Sequence, residues 1–331
     1  MLEIRDLHVQ FHGSDHEAVR GIDLTVGDGE IVGLVGESGS GKTVTAMMIS
    51  GLLRPEQASF RGKILLDGRD LLTSSGDTLR SIQGKDICVV FQEPMSAMDP
   101  TMRIGPQVEE ALVVHTKLSA EERRARALQA MADAELPEPG TLYRKYPHEL
   151  SGGMLQRAMV AAAIISEPKL LICDEPTTAL DVTIQAQVLE LMNELKEKLR
   201  TSLLLITHDL GVVAQVCDRV AIMYAGEIVE SGTIAEVFDH PHHPYTIGLF
   251  GSIPSLDETA EKLKPIQGQM PDPTELPEGC AFAPRCPYAT GACRTRKPEM
   301  TGVGGTQMVR CLAHQGVFES PELMEEVRHG R

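Results

Sequence analysis

The chain has 331 residues, enough for one large domain plus an extension, and its 42% hydrophobic and 24% charged residues suit a protein that buries a sizeable core rather than a disordered one. Thirty-one basic residues against 47 acidic ones leave a formal charge of −16, which argues against holding nucleic acid by counterion release. The longest apolar runs, Ala158 to Ile165 and Leu203 to Ile206, fall well short of the roughly 18 residues of a membrane span, and the opening Met-Leu-Glu-Ile-Arg-Asp has no basic region followed by an apolar run, so a cytoplasmic address is expected.

The first informative segment is the apolar run Glu30 to Gly36, which reads as a strand and is followed by Gly36-Glu37-Ser38-Gly39-Ser40-Gly41-Lys42-Thr43 and a helical pattern reaching Leu53. This is G-x-x-x-x-G-K-[ST] in its required strand-loop-helix setting. The glycines let successive backbone N–H groups turn towards phosphate oxygens, and the helix N-terminus adds its own free donors. Lys42 supplies a point charge to the terminal phosphates, and the Thr43 hydroxyl can enter a Mg²⁺ shell. The motif alone is shared by kinases, GTPases and motors, so it fixes the ligand class more firmly than the function.

Further strands are expected at Asp86 to Phe91, Lys169 to Cys173 and Ser202 to Thr207, separated by helical patterns, which implies a mostly parallel α/β sheet. Between about 100 and 165 the strand signal disappears, and Ser119 with Glu122 forms a capping box opening a helix that runs towards Ala134. The third strand ends in adjacent acids, Asp174 and Glu175, which a buried strand tolerates only with a cation or a chemical task. Asp174 suits Mg²⁺ and Glu175 could polarise an attacking water; in isolation the pair would read as a solvated turn, and the upstream phosphate loop reverses that preference. Val182 to Arg200 places Ile184, Val188, Leu191, Leu195 and Leu199 at helical spacing, an amphipathic helix packed on the sheet.

After about residue 250 the texture changes, since nine of the twenty prolines fall in the last 81 residues. The expected division is therefore 1–250 for the main domain, with a helical subdomain at about 100–165, and 251–331 for a loop-rich extension. Of the seven cysteines, Cys88, Cys173 and Cys217 lie among apolar residues and read as buried hydrophobes, while Cys280, Cys286, Cys293 and Cys311 share the Pro-rich tail. Four thiols in a core-poor segment suggest a staple, and a reducing compartment favours metal ligation over disulfides. Zinc and a [4Fe–4S] cluster both suit four cysteines, and free structural thiols are a third reading.

Leu150-Ser151-Gly152-Gly153-Met154, preceding the helical run Leu155 to Ile165, combines with the loop and the acid pair to resemble the ABC ATPase signature. Phe11, Gln92, Thr178-Ala179-Leu180-Asp181 and His208 stand in the order of that family, so the match spans nearly all of residues 1 to 235. The resemblance implies that Phe11 stacks on adenine, that Gln92 senses Mg²⁺ or water and faces the transporter, and that His208 contacts the γ-phosphate. It also implies that Asp181 organises a dimer seam, where Ser151, Gly152 and Gly153 cap ATP held by a second subunit. Two departures, Met154 where Gln is frequent and Phe11 where Tyr is, do not suggest inactivity, because Met is usual in the peptide-importer branch.

His240-Pro241-His242-His243-Pro244-Tyr245-Thr246, followed by Gly248-Leu249, is similar to the end of dipeptide, oligopeptide and nickel importer ATPases. The stretch from Gly279 to Pro287 resembles tails of that branch that can hold an iron–sulfur cluster, which places a [4Fe–4S] cluster ahead of zinc. The resemblance implies an ATPase peripheral to the cytoplasmic face of the inner membrane. Its partners would be a second cassette, in the preferred reading a non-identical one, two membrane-spanning permease subunits and an extracytoplasmic solute-binding protein. A nickel or other small-solute importer is the alternative. A soluble ATPase acting on ribosomes or DNA is a more distant one, since Lys42 and Ser151 stand too close for the long coiled coil it usually carries.

Overall fold

The computed structural model describes residues 1–176, 185, 189, 190, 192, 194, 196, 198, 200–252 and 266–329. Two sheets and a helical layer build the larger part. Strands β1 (Leu2–Phe11), β2 (Val19–Val26), β4 (Ala58–Leu66) and β5 (Arg69–Asp70) form an antiparallel sheet in the order β2-β1-β4-β5. The second sheet has eight strands in the order β11-β12-β10-β9-β3-β8-β7-β6. Its centre is β3 (Ile31–Val35), parallel to β8 (Ser202–Thr207) on one side and to β9 (Arg219–Tyr224) on the other, with β7 (Leu170–Asp174) and β6 (Ile87–Val90) continuing parallel beyond β8.

The four expected strands are all present, within a residue or two of their expected limits. Because alternate residues of a strand point to opposite faces, the central strands divide their side chains between two cores. Leu171, Cys173, Leu203 and Leu205 pack towards the helical layer, while Ile172, Leu204 and Ile206 pack towards the antiparallel sheet. Both faces are covered, which is why these strands read as continuous apolar runs rather than as alternation.

Helices α1 (Lys42–Ile49), α2 (Gly76–Ile82) and α3 (Pro94–Ala97) precede the helical layer, which comprises α4 (Ile104–His115), α5 (Ala120–Asp133), α6 (Pro139–Leu142) and α7 (Gly152–Ile164). The Ser119 capping box forms as expected: its hydroxyl accepts from Glu122 N–H and the Glu122 carboxylate accepts from Ser119 N–H at 2.7 Å. Val108, Leu112, Ala127, Met131, Leu155 and Val160 fuse α4, α5 and α7 into one core with the sheet. Within the helix expected at 182–200, Gln185, Leu189, Glu190, Met192, Glu194, Lys196 and Lys198 are described and helical, with Leu189 and Met192 buried, while Arg200 is described and lies past the helix with φ of 52°. Ile184, Val188, Leu191, Leu195 and Leu199, whose spacing suggested it, lie outside the described residues.

The tail is loop-rich, yet it closes on the larger part rather than hanging from it. Strands β11 (Thr301–Gly304) and β12 (Gln307–Val309) extend the main sheet, β12 pairing antiparallel with β10 (Glu227–Thr233). Phe282 and Ala281 join Val220, Ile222, Tyr224, Val229 and Tyr245 in one core. Among the described residues no helix is long and apolar enough to cross a membrane.

Candidate active site

The three central parallel strands β3, β7 and β8 all end at one edge of the sheet, where their loops carry the polar residues. Open parallel sheets place ligand sites beyond the carboxyl ends of their strands. After β3 the chain turns through residues 36–41 into α1. A β-carbon at Gly36 would stand 2.1 Å from the Met223 carbonyl, and Gly41 caps α1 with φ of 105° against the Ala18 carbonyl, so the loop follows a path that only glycine permits at these two points.

Lys42 is buried at 5% exposure, and its ammonium donates to the carbonyls of Gly36 at 2.7 Å and Glu37 at 3.0 Å. It makes no ion pair among the described residues. Burial pushes its pKa below the ordinary lysine value, opposed by the carboxylates of Glu175, Asp174 and Glu37. Among the described residues the ammonium's hydrogen bonds go to carbonyl oxygens, and an anion bound beside it would offset the cost of burying the charge.

Across from Lys42, the end of β7 supplies Asp174, itself 8% exposed. Thr43 Oγ1 donates to Asp174 Oδ1 at 3.4 Å. Burial raises the Asp174 pKa, helped by Glu175 and opposed by Thr43 and Lys42. A hydroxyl and a buried carboxylate side by side at the phosphate loop are the hard oxygen donors a Mg²⁺ ion takes, so the residues present fit that ion.

Glu175 follows with φ of +46°, a left-handed conformation unusual for glutamate, and its N–H donates to the Ile206 carbonyl at 2.8 Å. Its carboxylate is gripped from two sides. Gln92, just past β6, donates from Nε2 to Oε2 at 2.9 Å, and His208, just past β8, places Nδ1 3.3 Å from Oε1. Four segments separated in sequence thus bring Lys42, Thr43, Gln92, Asp174, Glu175 and His208 together. Such a cluster can hold a phosphate chain and present one carboxylate to a water beside it.

Other expected residues lie apart. Phe11 ends β1 and is 36% exposed. Ser151 caps α7, accepting from Met154 N–H at 3.4 Å, with Gly152 beginning the helix and Gly153 following. This end of α7 is exposed and, among the described residues, shares no hydrogen bond with the cluster around Lys42. Asp181 lies outside the described residues.

Cys280, Cys286, Cys293 and Cys311 do converge, all lining one cavity of about 20 Å³ beside His243, Phe282 and Leu312. Burial pushes the Cys280 and Cys286 thiols up to about 12. All four are free thiols, and among the described residues no group of three or more His, Cys, Asp or Glu side chains is arranged to hold a metal ion. The cavity has room for about one water. The expected iron–sulfur cluster therefore finds no support in this arrangement: the thiols face a common space but do not close into a ligand set.

Two contacts escaped the sequence. Arg285 grips Glu37 with both guanidinium arms, at 2.8 and 3.2 Å, and the Tyr245 hydroxyl accepts from Glu37 N–H at 3.0 Å. Both partners lie more than 200 residues downstream of the loop, with no local pattern to announce them.

The chain is similar to known proteins in sequence and in fold. The profile of the ABC transporter family matches residues 19–178, and that of the oligopeptide/dipeptide transporter C-terminal region matches residues 229–293. The dipeptide transport ATP-binding protein DppD of Bacillus subtilis is 48% identical over 94% of this chain and 94% of its own length, and the oligopeptide transport ATP-binding protein OppD of the same organism is 47% identical over 98% and 93%. Among solved structures, a post-hydrolysis state of the ATP-binding cassette MJ0796 bound to ADP and phosphate superposes with a TM-score of 0.63 at 28% identity, covering 71% of this chain and 99% of that one. With its phosphate loop, paired acids and capped helix in one cassette and its tail in the matching C-terminal region, the chain belongs to the ATP-binding proteins of the ABC transporter family, in the oligopeptide/dipeptide transporter branch.

Proposed function

We propose that this chain is the ATP-hydrolysing subunit of an importer of dipeptides or oligopeptides. The observation that carries the chemistry is the convergence of Lys42 and Thr43 with Asp174 and a Glu175 held by Gln92 and His208. The matches to peptide transport ATP-binding proteins over nearly the whole chain favour peptide over nickel or other solutes, and over soluble ATPases acting on ribosomes or DNA.

In this reading the backbone N–H groups of residues 36–43 and the Lys42 ammonium bind the β- and γ-phosphates, and Phe11 stacks on the adenine. Magnesium, when bound by Thr43 and Asp174, would neutralise charge on the phosphates. Glu175 accepts a proton from the attacking water as its oxygen bonds to the γ-phosphorus and the bond to ADP breaks. Gln92 and His208 fix the carboxylate so that it faces that water. The exposed cap Ser151-Gly152-Gly153 faces ATP on a second cassette, preferably a non-identical one, with Asp181 at the seam, and closure of the pair drives two permease subunits fed by an extracytoplasmic binding protein. The cassette then docks on the cytoplasmic face of the inner membrane, its residues 1–250 forming the motor and 251–331 the extension.

The four tail cysteines converge without forming a metal-ligand set among the described residues, so free structural thiols are the reading this geometry favours. Anaerobic purification with iron, acid-labile sulfide and zinc analysis tests it, and stoichiometric metal would overturn it.

For the function itself, the chain is tagged, extracted gently from native membranes, and its companions identified by mass spectrometry. Two multi-span proteins with a second cassette, and ATP-dependent uptake of labelled peptide by vesicles containing them, are expected. Recovery with ribosomes or DNA, without membrane proteins, would overturn the reading.

A further inference from the structure

We infer that Arg285 is a positioning residue for the ATP site, acting through Glu37, so that the C-terminal extension sets the shape of the phosphate-binding loop; the inference rests on residues 36–43 being that loop. Glu37 is the second residue of the loop; its carbonyl accepts from Ser40 N–H at 3.2 Å, and it is held at three further points. Arg285 binds its carboxylate in a two-armed ion pair, Tyr245 Oη accepts from its N–H, and Lys42 donates to its carbonyl at 3.0 Å.

Lys42 has three N–H donors, two of them spent on the Gly36 and Glu37 carbonyls, so gripping both β- and γ-phosphate oxygens takes at least one from the loop. As its ammonium turns to phosphate oxygens, its hold on the Gly36 and Glu37 carbonyls weakens, while the Glu37 carbonyl keeps the Ser40 N–H at 3.2 Å. The holds on Glu37 that come from outside the loop, Tyr245 and Arg285, do not depend on Lys42 and persist.

Arg285 is well built for that task. Its side chain is 7% exposed, its Nε donates to the Gln267 carbonyl at 3.2 Å, and its guanidinium lies 5.9 and 6.0 Å from the ring centres of Tyr224 and Phe282. Those two rings stand edge to face at 5.2 Å, and Tyr245 packs against both, so the arginine, the hydroxyl and the core beneath move as one. Met270 approaches the loop further along, its Cε 3.1 Å from where a β-carbon on Gly39 would stand. A planar two-armed pair fixes both distance and orientation, which a single lysine ammonium does not.

The test measures ATP affinity with a fluorescent ATP analogue, together with KM and kcat of the assembled transporter, in wild type, Arg285→Gln, Arg285→Lys, Glu37→Gln and the double Arg285→Gln/Glu37→Gln. Arg285→Gln is expected to weaken ATP binding and raise KM by about tenfold, with kcat at saturating ATP nearly unchanged. Arg285→Lys recovers part of the loss. The double variant binds no more weakly than the worse single one, because both remove the same link. Unchanged affinity in a folded Arg285→Gln protein, or additive losses in the double, would overturn the inference. Should Arg285→Gln fail to fold, Glu37→Gln alone decides: wild-type affinity there is equally fatal. Wild type that neither binds nor hydrolyses ATP would instead sink the ATPase reading.

Discussion

Gln92 and Glu175 are 83 positions apart, yet the Gln92 amide donates to the Glu175 carboxylate at 2.9 Å. One sits past the edge strand β6 and the other past β7, so parallel pairing of the two strands brings the loops that follow them to the same edge. The amide holds the carboxylate by one oxygen and His208 approaches the other, leaving its direction little freedom. The strained φ of Glu175 is part of that aim, since the left-handed turn redirects the side chain just after the strand ends.

Glu175→Gln is therefore expected to bind ATP as wild type does while turnover falls by about 10²–10⁴-fold, the usual worth of a positioned base. Gln92→Ala should lower turnover less, because His208 still restrains one oxygen. Single-turnover hydrolysis beside equilibrium nucleotide binding checks both, and a Glu175→Gln protein that hydrolyses ATP normally would remove Glu175 from the chemistry.

Ser151 has a local duty and a proposed remote one, and substitution can separate them. As N-cap of α7 it accepts from Met154 N–H, and loss of such a cap costs about 1 kcal/mol. Aspartate caps as well as serine does but sets a negative charge where a partner's phosphates would lie. Ser151→Asp is expected to melt close to wild type and to lose ATP-driven association and hydrolysis. Retained hydrolysis would confine Ser151 to capping.

The union of tail and sheet predicts a large effect from one aromatic. Phe282 is 2% exposed and lies among Tyr224, Tyr245 and His243, with ring centres at 5.2, 5.4 and 5.8 Å. Phe282→Ala is expected to destabilise the protein by about 3–5 kcal/mol in a single cooperative transition. A separate early transition, leaving the nucleotide site intact, would show that the extension unfolds on its own.

What the sequence revealed and what it hid follow from the range of the forces involved. The loop at 36–43, the Ser119 box and the Ser151 cap are written within a few consecutive residues, and they form where expected. The antiparallel sheet was harder to read because β1 is interrupted: Leu2 and Ile4 are buried in one phase and Leu7 and Val9 in the other, with Asp6 at φ of 45° and a register shift between Ile4 and Leu7. That shift breaks the period of two on which a strand is recognised. Arg285 and Glu37 are 248 positions apart, and nothing near either forecasts their pairing. The convergence of the four tail cysteines is visible in their spacing, but whether they close on a metal depends on sub-ångström geometry that spacing does not encode.

The histidines beneath the tail give the molecule a pH dependence whose sign can be worked out. His243 caps the helix Pro244–Gly251, its Nδ1 accepting from Tyr245 N–H at 3.0 Å, so the folded state needs that nitrogen unprotonated. Burial, with His314 and Arg310 nearby, pushes its pKa from 6.5 down to about 3, and burial beside His314 and His240 lowers His242 to about 4. Between those values and 6.5 the unfolded chain binds protons that the folded one refuses, so stability falls as the pH drops through this window. Glu230 works the other way. Wholly buried, it accepts from the N–H groups of His242 and His243 and from Gln307, and burial raises it to about 7, so the folded state keeps its proton to higher pH than the unfolded chain and gains stability as the pH falls from 7 towards 4.5. His314, also lowered by burial, adds to the two histidines, and the three against one carboxyl leave a net loss below pH 6. His243→Asn keeps a capping acceptor and removes one titration, so its stability should fall less steeply with acid, by up to about 1.4 kcal/mol per pH unit. Urea unfolding between pH 4.5 and 7 checks this, and identical slopes for wild type and His243→Asn would show that His243 takes up its proton without unfolding.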